Sequence, residues 1–137
     1  MSQTVNNRSE NKLDVFIKAR NLSNYTIKIC SNEKVFLPQY RKSFTVLLEK
    51  TAIKIFINSW SANNIVVTSE ETLQERLKLQ VLAIRGCNDL LALIQLAKPL
   101  FHLTAKRVRY WGTQTIGIRK DLQSWNVNDK KRYKNFL

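Results

Sequence analysis

The chain predicts an all-α fold, arranged as an up-down-up-down antiparallel four-helix bundle, on three observations. Apolar residues recur every three or four positions through four long segments. Three glycines and two prolines are too few for the turns that a strand-rich fold needs about every 8–12 residues. The links between the segments are short, as antiparallel neighbours in a bundle require.

Residues 1–9 are polar and predict a disordered segment, so the bundle is expected over residues 10–128. A first helix is expected from about Asn11 to Asn32, with Leu13, Phe16, Ile17, Leu22, Tyr25, Ile27 and Ile29 apolar. The run Asn21-Leu22-Ser23-Asn24 weakens it, and Glu33 to Pro38 breaks it, because Pro38 pushes Leu37 out of the helical region. A second helix is expected from about Gln39–Ser43 to Asn63. Phe44, Leu47, Leu48, Ala52, Ile55, Phe56 and Ser59 form its apolar stripe, with Arg41, Lys42, Lys50 and Lys54 outward. Ile53, Ile57 and Trp60 lie beside that stripe. A second apolar face of this kind predicts packing between subunits, so these three residues are the expected oligomer interface.

The third helix is expected to start at a Thr68 or Ser69 cap, with Glu70 and Glu71 in its first turn. Leu73, Leu77, Val81, Ile84, Asn88, Leu91 and Ala92 give its stripe, and Pro99 its end. Thr104 caps the fourth helix, with Arg107 where a capping box would hold Glu. Val108, Trp111, Thr115, Ile118, Leu122 and Trp125 line one face, while Arg107, Arg109, Arg119 and Lys120 take the other. Residues 129–137, with Lys130, Lys131, Arg132 and Lys134, read as a basic tail.

Charge points to the partner. Lys and Arg number 23 against 10 Asp and Glu, a net charge of +13. Such a surplus in a small domain steers it toward polyanions, RNA or DNA. The expected nucleic-acid contacts are Arg41, Lys42, Lys50, Lys54, Arg107, Arg109, Arg119, Lys120, Lys130, Lys131, Arg132 and Lys134. Trp60, Trp111 and Trp125 read either as base-stacking platforms or as core, with core favoured for the two on the fourth helix's stripe. Asn63 and Asn64 read as a polar contact or simply as a helix end.

Catalysis is not expected. The single histidine, His102, falls in a turn, and no His, Cys or carboxylate spacing suits a metal. The di-iron signature and glycine phosphate loops are missing, so no cofactor is expected. Glu71 and Glu75 stand one turn apart, which a helix start explains. Cys30 and Cys87 lie in apolar runs and read as reduced packing residues of a cytoplasmic protein, with a single disulfide as the alternative. The opening MSQTVNNRSEN carries no apolar run, and no window holds 18 consecutive apolar residues, so neither a secretory signal nor a membrane partner is expected.

The segment Phe36-Leu37-Pro38-Gln39-Tyr40-Arg41, with Thr45, Ala52, Ile55 and Ala62-Asn63, resembles the Avd-like four-helix accessory proteins of diversity-generating retroelements. Lys106-Arg107, Tyr110-Trp111, Ile116, Leu122, Ser124-Trp125 and Asp129-Lys130-Lys131-Arg132 resemble that family's closing helix and tail. The wider group holds the four-helix proteins of rRNA intervening sequences. Phe-Leu-Pro stands here where the family has Phe-Pro. The resemblance covers roughly residues 13–134. It implies a ring-shaped homopentamer that binds a reverse transcriptase and its template RNA and supports mutagenic cDNA synthesis. The alternative function is a structural interaction module whose charge binds an acidic protein.

Overall fold

The computed structural model describes residues 2–137, with side chains from Asp14 onward. The expected disorder at residues 1–9, and Leu13 of the first stripe, fall where side chains lie outside that description. The described residues form four long helices and no strand: α1 Ser2–Cys30, α2 Val46–Asn64, α3 Glu70–Leu100 and α4 Ala105–Arg132. Short turns at Pro38–Tyr40, Arg41–Thr45 and Lys134–Phe136 complete the chain.

Small residues let the helices approach. Ser23 Oγ, buried, donates to Ala19 O at 3.1 Å within α1 and to Ala52 O at 2.9 Å on α2. That absorbs the polar run expected to weaken α1, because the hydroxyl is satisfied by backbone instead of competing with it. Gly86 lets α3 close on α2: a Cβ there would stand 2.8 Å from Ile55 Cγ1. Ala19, Leu22, Leu48, Ala52, Ile55, Leu90, Ile94, Trp111, Ile118 and Leu122 fill the centre, nearly without exposure.

Contacts between helices run in opposing numerical order. Phe16 meets Trp60 where Ser23 meets Ala52. On α4, Phe16 meets Trp125, Lys18 meets Asp121, and Thr26 meets Trp111. Between α3 and α4, Arg76 meets Asp129 and Asn88 meets Arg119.

Four expectations shift. The chain does not enter α2 directly at residues 39–43. Pro38 opens one tight turn and Arg41–Thr45 form a wide π turn, with Val46 N donating to Arg41 O. Leu47, expected on the core stripe, is 48% exposed. On α3 the buried line follows Leu73, Arg76, Leu77, Gln80, Ala83, Cys87, Leu90 and Ile94, so Val81, Asn88 and Ala92 face out. Polarity alone would not place Arg76 and Gln80 inside; their partners on α4 do. Residues 129–132, expected in the tail, extend α4 to Arg132, with Asp129 buried.

Helix ends follow local chemistry. Ser69 caps α3: Thr72 N donates to Ser69 Oγ, and Ser69 N to Thr72 Oγ1. Thr104 Oγ1 accepts from Arg107 N at the start of α4. Pro99 sits one residue inside the end of α3. Leu103 N then reaches back to Lys98 O, and His102 takes φ 52°, the left-handed position usual for a residue closing a helix.

α3 also contains an 18-residue window of mean hydropathy 1.3, long and apolar enough by composition to cross a membrane. In this fold it supplies core residues to its neighbours while Leu82, Arg85, Asp89 and Leu96 share its outer side.

Candidate nucleic-acid interface

The bundle has two chemically different ends. At one, the 31–45 link meets the 101–104 turn around Phe101. Phe36 lies 4.8 Å from Phe101 between ring centroids, with Tyr40 at 5.7 Å and Phe44 at 6.0 Å. Phe36 also meets Trp111, whose Nε1 donates to Thr26 Oγ1 at 3.1 Å inside the core. We call this the aromatic end. Packing its rings together anchors the backbone of both links, and the 31–45 link carries Lys34, Arg41 and Lys42.

The other end is held by a buried polar network. Arg76 Nε donates to Asp129 Oδ2 at 2.9 Å, and its two other nitrogens to Asp129 Oδ1 and Ile65 O. Gln80 Nε2 donates to Asp129 Oδ2 at 2.6 Å, and Gln80 Oε1 accepts from Asn126 Nδ2 at 2.9 Å. The guanidinium also lies 5.2 Å from the centroid of Trp125 and 6.0 Å from that of Tyr133. Almost every polar atom is matched, which is the condition for burying a charge pair.

The twelve expected contact cations do not form one patch. Arg41, Lys42, Arg107 and Arg109 lie at the aromatic end. Lys50 and Lys54 lie along the outer side of α2, and Arg119 and Lys120 midway along α4. Lys130, Lys131, Arg132 and Lys134 lie at the network end. Across the 28 residues of α4 that is about 40 Å at 1.5 Å per residue. Two of these cations are already engaged. Arg41 Nη2 holds Glu49 Oε1 at 2.7 Å, and Arg119 Nη1 donates to Asn88 Oδ1 at 2.8 Å.

Surrounding charge separates the two ends further. Near the last turns of α4, the first turns of α3 present Glu70, Glu71 and Glu75, all exposed. The aromatic end adds exposed cations absent from the expected set: Lys28, Lys34, Lys98 and Lys106. Its acids are Glu33 and Glu49, and Glu49 is held by Arg41. The sequence signal for these cations was weak, because they belong to four different segments that only folding brings to one end.

The indoles divide as the spacing suggested. Trp111 and Trp125 are buried, whereas Trp60 is 51% exposed and rests edge-on against Phe16, with Phe56 beside it. Ile57 is 50% exposed and Ile53 half-buried. Ile57 and Trp60 therefore leave apolar surface open on α2. Sequence reasoning met Tyr110 only within the family resemblance and gave it no contact role; it is 54% exposed and stands edge-on to Tyr25 at 5.0 Å. Burial raises the Tyr25 phenol, and the nearby Arg107 charge partly opposes that shift.

Burial pushes the Cys30 and Cys87 thiols up to about 12, and both cysteines are free. His102 is an exposed turn residue. Among the described residues no three His, Cys, Asp or Glu side chains gather as a metal site. Comparison of the chain with family models, curated proteins and solved structures returned no match.

Proposed function

We propose that this chain is a non-catalytic nucleic-acid-binding accessory protein, built as an up-down-up-down antiparallel bundle. The opposing order of contacts between helices supports that topology, as do the short links at 65–69 and 101–104. The observation that carries the function is the net charge of +13, expressed as exposed Lys and Arg on every helix. Compact folding gains nothing from like charges at this density, and a polyanion that neutralises them does.

The resemblance of the 36–63 and 106–132 segments to Avd-like proteins supplies the finer reading. In it the protein joins a reverse transcriptase and its template RNA in a diversity-generating retroelement, working as a cytoplasmic homopentamer. The exposed Ile57 and Trp60 support self-association, since a subunit interface would cover them.

Labelled RNA titrated at several salt concentrations tests the central claim. Affinity should fall steeply as salt rises, because each phosphate contact releases a counterion. Absent binding, or a response flat in salt, would remove it. Light scattering tests the assembly, and a 16.0 kDa species at micromolar concentration would exclude a pentamer.

A further inference from the structure

We propose that the aromatic end, with Tyr110 at its rim, is where the chain takes up a single-stranded nucleic acid, phosphates on the cations and a base on the tyrosine. The proposal rests on the nucleic-acid reading above and adds both the place and the strandedness.

The argument begins with α4. Lys106, Arg109 and Tyr110 are spaced at i, i+3 and i+4, so they share one outward stripe, and all three are exposed. Lys106 and Arg107 occupy the first turn of the helix, where the backbone dipole is positive and carboxylates are favoured. Cations there work against the helix. The same end holds Lys28, Lys34, Lys42 and Lys98, with Glu49 already taken by Arg41. A bound polyanion would relieve both the crowding and the clash with the dipole.

Tyr110 adds what a duplex would not need. Tyr25 braces its ring edge-on at 5.0 Å and 65° between planes, so the ring is held before any ligand arrives. A base stacks on such a ring without sequence preference, and the neighbouring cations follow the backbone. A-form duplex keeps its bases stacked inside and offers no free face. At the network end the exposed cations share their surroundings with Glu70, Glu71 and Glu75, which favours the aromatic end.

The test uses the full chain and a fluorescein-labelled oligo(U), with a labelled RNA duplex of equal length beside it. The wild type should bind oligo(U) more tightly than duplex. Tyr110→Ala should weaken oligo(U) binding about tenfold or more, the scale of a lost base–aromatic stack, and Tyr110→Phe should retain it. Lys106→Glu with Arg109→Glu should weaken binding and lower the salt slope by about two. Lys130→Glu with Lys131→Glu should change it little. Thermal melting verifies that each variant folds. Loss confined to the 130/131 variant, or duplex bound as well as oligo(U), overturns this inference while leaving the nucleic-acid reading intact. A folded wild type that binds neither RNA but binds a polyglutamate peptide overturns both.

Discussion

The two ends of the bundle solve the problem of charge in opposite ways. At the network end a cation is taken inside and matched: Arg76 meets Asp129 through two nitrogens and Ile65 O through the third, while Gln80 and Asn126 extend the set. At the aromatic end most of the cations stay in water, with Arg41 paired to Glu49, and rings packed in the links supply the rigidity. A matched buried charge specifies one arrangement of helices and is silent toward ligands. Unmatched exposed charge contributes little to stability and is what a partner meets. The same residue type therefore does structural work at one end and is available for recognition at the other.

The strongest way to break this contrast is to orphan the buried cation. Asp129→Ala leaves the Arg76 guanidinium without its counter-charge, and Gln80 Nε2 without its acceptor. Unfolding by urea should show a loss of about 3–5 kcal/mol. A loss under 1 kcal/mol would mean that α4 ends, in effect, before residue 129.

At the aromatic end the comparable step is Thr26→Val, which keeps the volume and removes the acceptor for Trp111 Nε1. The orphaned donor should cost about 1–3 kcal/mol, less than the charge at the other end. Equal costs would erase the distinction between a charged and a neutral buried contact.

Alkaline titration probes the interior between the ends. The folded thiols of Cys30 and Cys87 ionise near pH 12, and those of the unfolded chain near 9. The stability tied to holding these protons is full below pH 9 and is lost as the pH rises toward 12. By pH 10 the loss should be about 1 kcal/mol for each thiol. Replacing both cysteines with Ala should flatten that part of the profile. An unchanged slope would show that other groups cause it.

The smallest effect is the most telling for the aromatic end. Lys106→Glu puts a carboxylate at the positive start of α4 and should raise stability by about 0.3–1 kcal/mol, while weakening RNA binding. A variant that gains stability and loses affinity would show that the cation is kept there for a ligand. A variant that loses stability would show that Lys106 has a structural partner.

Much of this molecule was legible before folding was considered. The fourth helix's stripe, Trp111 to Trp125, is buried as its spacing required, and the Ser69 and Thr104 caps stand where the composition put them. These follow from interactions within a turn or two of helix, which sequence encodes directly. The net charge and the buried, free state of Cys30 and Cys87 belong to the same class.

What only the tertiary structure decided depends on partners distant in the chain. Asp129 looked like the start of a charged tail until Arg76, 53 residues away, made it the centre of a network. Gln80 and Arg76 are buried because α4 matches them, and Val81 and Asn88 are displaced outward for the same reason. The aromatic end likewise exists because the 31–45 link packs on Phe101, beside the ends of α1, α3 and α4 whose cations gather there. Periodicity describes one helix at a time. Which charge is matched and which is left to solvent is settled only where helices meet.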